Sequence, residues 1–319
     1  MDFLQWAQGR QLPSALQSRK GWGDFFEYHR SREPHIHQIE PTNYCPYSCL
    51  MCPRNKHMKR ANGFMELDLF CTIIDEIATY SSVVRQKEIE LFHFGEALFH
   101  PQLADMVRYC SDAGLRPTLS INPGDLTEKL STAIMASNPY KIIVSLDSLQ
   151  PGRYKLIRGN HADLEKGLLQ TNYLLACHRK MGGETELVIR MIVMNINADE
   201  VGKFTSYWEE KGATVEIREF FPWSKKEFKD IGTVNKYPPY MPCPFPWQYM
   251  VVQWNGDVVG CCRDYDGNLK FGNVKEKSLK DIWNGNEYTD FRNKMLAGGE
   301  LSTFCEECLS LYYNDPAIS

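Results

Sequence analysis

The stretch Asn43-Tyr44-Cys45-Pro46-Tyr47-Ser48-Cys49-Leu50-Met51-Cys52-Pro53-Arg54 decides how this chain is read. It follows a short apolar run, His35–Glu40, and sets three cysteines in C-x3-C-x2-C spacing. Three thiolates on one short loop can bind three corners of an iron–sulfur cubane, which normally takes four cysteines. The remaining corner is then open to an exogenous ligand, as the open position of a catalytic metal centre is. The alternative is a structural zinc site with a distant fourth ligand, although zinc usually takes two short Cys/His knuckles.

Outward from this loop the pattern alternates. Short β-branched or apolar runs occur at His35–Glu40, Glu88–Phe94, Thr118–Ile121, Lys141–Leu146, Leu187–Met194 and Thr214–Phe220. Amphipathic stretches lie between them, at Leu67–Ser81, Gln102–Ala113, Leu126–Ala136, Asp163–Lys180 and Ala198–Lys211. Strands alternating with helices of this length predict βα units and a parallel sheet, hence an α/β fold. In such folds the chemistry sits at the carboxyl ends of the strands. The cysteine loop lies at the first of those ends.

The first 34 residues mix Gly, Arg and aromatics (Trp6, Trp22, Phe25, Phe26, Tyr28) and predict one or two short helices packed on a larger body. After Pro222 the stretch to Pro246 is rich in proline and lysine and reads as a linker or surface loop. Gln248–Trp254, the turn Asn255-Gly256-Asp257 and Val258–Cys261 then give a hairpin signal. A helix is predicted over Leu279–Ala297. The expected division is therefore an N-terminal helical extension at 1–34, a barrel at 35–222, and a linker with a C-terminal unit at 223–319.

Composition narrows the function. The chain has 319 residues, 36 Lys plus Arg against 40 Asp plus Glu, and a net charge of −4. With a pI near 6.1 this argues against a broad basic face and a nucleic-acid partner. No apolar run is long enough for a membrane span, and MDFLQWAQGR is no secretory signal, so a cytoplasmic location is expected. Thiols stay reduced there, so 11 cysteines point to metal or catalysis rather than cross-links.

A second set comprises Cys243, Cys261, Cys262, Cys305 and Cys308. Cys243 precedes the hairpin, Cys261 ends it, and Cys305-Glu-Glu-Cys308 follows the last helix. Four cysteines in this arrangement could also form a zinc ribbon. Cys262 is the odd member: a buried apolar residue, an alternative ligand, or a hydrogen-atom donor. His35, His37, His93 and His100 flank strands and carry no assigned role.

The first motif resembles that of the radical S-adenosylmethionine (SAM) enzymes, with Met51 at the apolar position before the third cysteine. Phe94-Gly95-Glu96-Ala97 is similar to the family's GGEP motif, with one Gly and with Ala97 in place of Pro. Asn122-Pro123-Gly124 resembles its T-N-G. Ser145, Asp147 and Arg190, on the fourth and fifth strands, occupy places where polar groups commonly hold the SAM ribose and carboxylate. Cys243-x12-Gly256-x4-Cys261 followed by Cys305-x2-Cys308 resembles the SPASM/twitch subgroup, as do Gly272-Asn273-Val274, Leu279, Ile282-Trp283 and Phe291-Arg292.

The resemblance implies a partial (β/α)6 TIM-like barrel with a C-terminal twitch domain. It implies SAM as cofactor and two [4Fe–4S] clusters. Cys45, Cys49 and Cys52 would hold the SAM-binding cluster. Cys243, Cys261, Cys305 and Cys308 would hold an auxiliary one, in the shorter twitch form because no cysteine follows Cys308. Gly95, Glu96, Asn122, Ser145, Asp147 and Arg190 would meet SAM. Cleavage of SAM by a reduced cluster would give a 5′-deoxyadenosyl radical that takes a hydrogen atom from substrate. A flavodoxin- or ferredoxin-type reductant is implied. The architecture resembles that of the subgroup's aminocyclitol dehydrogenases, so a sugar or aminocyclitol, oxidised or epimerised, is the expected small-molecule substrate. A peptide substrate is the second reading, weakened because only 34 residues precede the first strand, too few for a built-in leader-peptide domain. A non-catalytic zinc protein is the third.

Overall fold

A computed structural model of the chain describes residues 3–7, 10–182, 184–220, 223, 237, 238, 240–298 and 301–312. Six strands, β1 (Ile36–Ile39), β2 (Glu88–Glu90), β3 (Arg116–Ile121), β4 (Lys141–Ser145), β5 (Glu186–Val193) and β6 (Thr214–Glu219), pair in sequence order and all in parallel. Helices Leu67–Ala78, Leu103–Asp112, Glu128–Ala136, Leu164–Met181 and Val201–Glu209 fall between successive strands, as the alternating pattern predicts.

One face of each strand is apolar. Ile89, Leu119, Ile142, Leu187 and Ile189 join Phe70, Ile73, Met106, Val107 and Phe204 of the helices in one core. The opposite face is different. The register aligns Gln38 with Glu90, Glu90 with Thr118, Thr118 with Lys141, and Lys141 with Glu186. Paired residues share a face, so a polar row crosses the inner wall of the sheet. Parallel strands buried on both faces read as continuous apolar runs. The row is matched within itself: Gln38 donates to Glu90 at 2.7 Å, Thr118 to Glu88 at 3.0 Å, and Lys141 pairs with Glu186 at 3.3 Å.

The C-terminal region continues the same sheet. β7 (Met250–Val252) lies parallel to β1, and β8 (Asp257–Val259) and β9 (Lys270–Asn273) follow antiparallel, making nine strands in all. The β7–β8 turn is the one expected at Asn255-Gly256-Asp257, where Gly256 adopts φ +90°. The N-terminal helix Arg19–His29 packs Trp22 and Phe26 against Met241, Trp247 and Met295. It thereby braces the second cysteine region.

Three local differences from the sequence reading have physical causes. β2 ends at Glu90 rather than Phe94, because the chain leaves the sheet to carry Gly95 and Glu96 to the cysteine loop. The helix expected over Leu279–Ala297 is two, Leu279–Asn284 and Asn286–Ala297, interrupted where Gly285 is extended. A helix at Pro151–Arg158 was not expected; it opens on proline at its first position and stops at Gly159, φ +88°. Residues 224–236 and 239 of the expected linker lie outside the described residues.

Candidate active site and cluster sites

The first cysteine loop runs from the end of β1 to the short helix Arg54–His57. Its backbone is docked on the unexpected helix: Ser48 N–H donates to the Arg158 carbonyl at 3.2 Å and Leu50 N–H to that of Ile157 at 2.7 Å. Glu96 N–H donates to the Tyr44 carbonyl at 2.8 Å, tying the loop to the end of β2. Asn43, fully buried, clips the outgoing chain by bonds of 2.8 Å to the Ala61 carbonyl and from Gly63 N–H. Two glycines make these approaches possible. A Cβ at Gly95 would lie 2.0 Å from the Thr42 carbonyl oxygen, and one at Gly159 would lie 1.9 Å from Ser48 Oγ.

Beneath the loop the structure brings together four of the expected groups and one that was not expected. Glu96 is 1% exposed and accepts hydrogen bonds from Asn122 N–H (2.9 Å), Asn122 Nδ2 (2.5 Å) and Leu98 N–H (3.2 Å). Burial outweighs these donors and raises its pKa to about 7. Arg158 donates through Nη1 to Asn122 Oδ1 at 2.9 Å, reaches Asp147 Oδ2 at 2.6 Å, and lies 3.9 Å from Cys49 Sγ. Asp147 is itself held by Ile192 N–H at 2.9 Å. Arg158 thus knits the third and fourth strand ends to the middle cysteine. The Arg-Gly that ends a short helix was the only trace of it in the sequence.

The other predicted residues sit close by. Met51 is buried against Ile157, Met194 and Phe220, and its carbonyl accepts from Trp223 Nε1 at 2.7 Å. Ser145 Oγ lies 3.4 Å from Ser120 Oγ. Arg190 donates through Nε to Glu216 Oε2 at 2.7 Å, on the next strand. Burial raises the pKa of Cys45 and Cys49 and pushes Cys52 up to about 12. Metal ligation requires thiolates, so a bound cation would overturn this burial penalty. Three soft donors, half-buried and backed by a guanidinium, suit a cluster.

The second set assembles from three separate segments. Cys243, Cys261, Cys305 and Cys308 line one pocket whose walls are almost wholly apolar, with Phe245 and Phe291 among them. Cys305 and Cys308 stand on the helix Thr303–Tyr312. The four thiols surround a pocket rather than a point: among the described residues no three His, Cys, Asp or Glu side chains group closely enough for a single ion. Burial raises the pKa of Cys243 and Cys308 and lifts Cys305 to about 11. Arg263, 4% exposed, aims Nη1 at Cys308 Sγ, 3.1 Å away. A guanidinium buried against sulfur is well compensated only by a thiolate, which is the ligating form. The donor set and its dry walls therefore fit a cysteine-ligated cluster.

Cys262 is not among the residues lining that pocket. Its sulfur lies 3.2 Å from Tyr249 Oη, and its carbonyl is 3.0 Å from His93 Nε2. The sequence reading missed a further network here. Glu40, fully buried, takes a bidentate pair of bonds from Arg60 at 2.6 and 2.5 Å and lies 3.5 Å from His93 Nδ1. Burial alone would raise its pKa; Arg60 and His93 together hold it down at about 2. Arg60 also donates to the Tyr265 carbonyl at 2.6 Å, and Asp266 Oδ1 accepts from Lys59 and Arg60 N–H. The segment after the first cysteine loop is thereby fastened to the segment after Cys262. A charged Glu ending an apolar strand was the available signal.

Comparisons with known proteins agree with this geometry. Residues 243–309 match the SPASM iron–sulfur cluster-binding domain. The chain is 24% identical to the tungsten-containing aldehyde ferredoxin oxidoreductase cofactor-modifying protein of Pyrococcus furiosus, over 85% of this chain and 86% of that one. It is 22% identical to the S-adenosyl-L-methionine-dependent 2-deoxy-scyllo-inosamine dehydrogenase of Niallia circulans, over 85% and 91%. Among solved structures, BtrN in complex with AdoMet and 2-DOIA superposes with a TM-score of 0.55 at 18% identity, covering 90% of this chain and 98% of that one. Streptococcus suis SuiB bound to precursor peptide SuiA gives 0.63 at 14% identity, covering 92% and 78%. No helix among the described residues is long and apolar enough to cross a membrane. The cofactors of such enzymes are a [4Fe–4S] cluster with SAM, and auxiliary iron–sulfur in the SPASM domain, which sets the zinc reading aside. The chain is thus similar over most of its length to radical SAM enzymes, and its residues 243–309 match the SPASM domain.

Proposed function

We propose that this chain is a radical SAM oxidoreductase that removes a hydrogen atom from a carbon of a small polar substrate, a sugar or an aminocyclitol, with net oxidation or epimerisation. The observation that carries the substrate class is the set of polar side chains Ser120, Ser145, Arg190 and Glu216, which lie toward the carboxyl ends of β3 to β6, on the side of the cysteine loop. Polar side chains at that end of the sheet suit a ligand rich in hydroxyl or amino groups better than an apolar one. The likeness to a named 2-deoxy-scyllo-inosamine dehydrogenase supports the same class.

Cys45, Cys49 and Cys52 would hold the SAM-binding cluster, and Cys243, Cys261, Cys305 and Cys308 the auxiliary one. When bound, the first cluster and SAM supply hydrogen-atom abstraction from an unactivated carbon. The chain's own part is orientation and shielding. Glu96, on the segment that follows β2, offers a buried carboxylate to the amino group of SAM. Asn122, Ser145 and Arg190 offer hydrogen bonds at neighbouring strand ends. Arg158 and Asp147 fix the loop against the sheet so that the cysteines keep their place. Cys262 stands between Tyr249 and the strand carrying His37 and is the candidate hydrogen donor should the reaction epimerise.

A peptide substrate is the second reading. It is favoured by β6, an edge strand of the sheet among the described residues, whose residues are half-buried or exposed and whose backbone could pair with an extended chain. One experiment separates the two. Fully reconstituted protein is given deuterated aminocyclitols and sugars, or deuterated peptides, and deuterium in 5′-deoxyadenosine is measured. Label from a cyclitol or sugar supports the first reading, and label from peptides alone overturns it.

A further inference from the structure

Between the two cysteine sets lies an unbroken chain of contacts. Arg263 touches the second set twice: its backbone N–H donates to Cys261 Sγ at 3.4 Å and its Nη1 to Cys308 Sγ at 3.1 Å. The guanidinium carbon sits 5.2 Å from the centre of the Trp223 ring, a cation–π distance. Trp223 in turn donates through Nε1 to the carbonyl of Met51, the residue before Cys52, at 2.7 Å. The ring also packs at 5.5 Å from Phe94, which precedes Gly95 and Glu96. None of these contacts is needed to build either cysteine set, and neither residue belongs to a cysteine motif.

We propose that Arg263 sets the reduction potential of the auxiliary cluster and that, through Trp223, it holds Met51 and the SAM-cluster loop in register with it. The proposal rests on the reading that Cys261 and Cys308 ligate that cluster. Reduction adds one negative charge to a cluster. A buried cation and N–H···S bonds stabilise the reduced form and raise the potential. Arg263 supplies both at once, on two of the four sulfurs. Arg and not Lys is suited to the place, because its planar fork can donate to a sulfur while its face lies on an indole. Trp223 is the second half of the device. Its ring offsets part of the guanidinium's desolvation, and its N–H fixes the peptide carbonyl of Met51, immediately before the third cysteine of the first loop. Arg263 and Trp223 are thus positioning residues: they act through the cysteines and through Met51.

The test is a potentiometric EPR titration of anaerobically reconstituted protein, with iron and sulfide analysed in each sample. In Arg263→Met the reduced-to-oxidised ratio of the auxiliary cluster at fixed potential should fall about tenfold, roughly the strength of one charge-assisted hydrogen bond, which is 59 mV for one electron. Arg263→Lys should recover part of that shift. Should Arg263→Met lose its cluster, Arg263→Gln is titrated to the same criterion. Trp223→Phe should leave the auxiliary potential in place while weakening, several-fold, the SAM-induced change in the EPR signal of the other cluster. An auxiliary potential that does not move in Arg263→Met overturns the first half of the proposal. A SAM response in Trp223→Phe equal to the parent's overturns the second. Cys308→Ala separates these failures from failure of the underlying reading: if its iron content and its auxiliary-cluster EPR spectrum both match the parent's, Cys308 is no ligand. If it loses the auxiliary cluster while Arg263→Met leaves the potential unmoved, the proposal alone is refuted.

Discussion

The two cysteine regions reach similar donor sets by opposite routes. The first takes all three cysteines from eight consecutive residues, and its geometry is enforced by close backbone approaches at Gly95 and Gly159. The second gathers four cysteines from three segments spread over residues 243–308, and tertiary packing of a hairpin and two helices brings them to one pocket. The local site is partly preformed by its loop. The non-local site exists only when the whole C-terminal region is folded. One is a short loop at the carboxyl end of the sheet, and the other is a largely apolar pocket.

The sharpest way to break this contrast is Cys45→Ala. SAM cleavage should vanish, while the auxiliary cluster's EPR signal persists; retained 5′-deoxyadenosine production would remove the first loop from the chemistry. Next in size is Arg158→Met, which strands the fully buried Asp147. Breaking a buried pair costs about 3–5 kcal/mol. Denaturant unfolding should show a loss of that order, whereas an unchanged midpoint would mean that the loop is held by its backbone bonds alone. Cys305→Ala should spare uncoupled SAM cleavage while reducing product, and full turnover would leave the second chamber without a role.

A smaller effect comes from pH. Burial lifts Glu96 to about 7, so below that pH its carboxyl is protonated and its attraction for an amino group is weakened. SAM affinity should therefore rise with pH up to about 7 and then level, by at most about tenfold per pH unit. Equilibrium binding between pH 6 and 8 checks this, and in Glu96→Gln the dependence should flatten. Smallest is Cys262→Ala. If Cys262 donates hydrogen in an epimerisation, the variant accumulates an oxidised or stalled product. An identical product profile would return it to the role of a packed thiol beside Tyr249.

The same contrast explains how much was legible beforehand. The parallel sheet followed from alternating apolar runs, because βα units bury one face of each element locally. The first cysteine loop stood out by its spacing, and the resemblance to the SPASM/twitch subgroup picked out the four cysteines that line the second pocket. Arg158 and the Glu40–Arg60–His93 network did not. Their partners are distant in sequence, so no spacing marks them: Arg158 reaches back to Cys49 and Asn122, and Arg60 reaches forward to Tyr265. The break at Gly285 and the short β2 were missed for a related reason. Both depend on where the chain must go next, not on what its residues prefer.

The parallel pairing of β7 with β1 has a consequence for the chain as a whole. A cluster-binding appendage on a flexible tether could swing or be clipped away. Here it is welded into the barrel through a shared backbone ladder, about 4.7–4.9 Å from one strand to the next. Cutting the chain before Cys243 would not release a smaller working enzyme. It would bare the flank of the strand that leads into the first cysteine loop, and such an unprotected flank invites self-association.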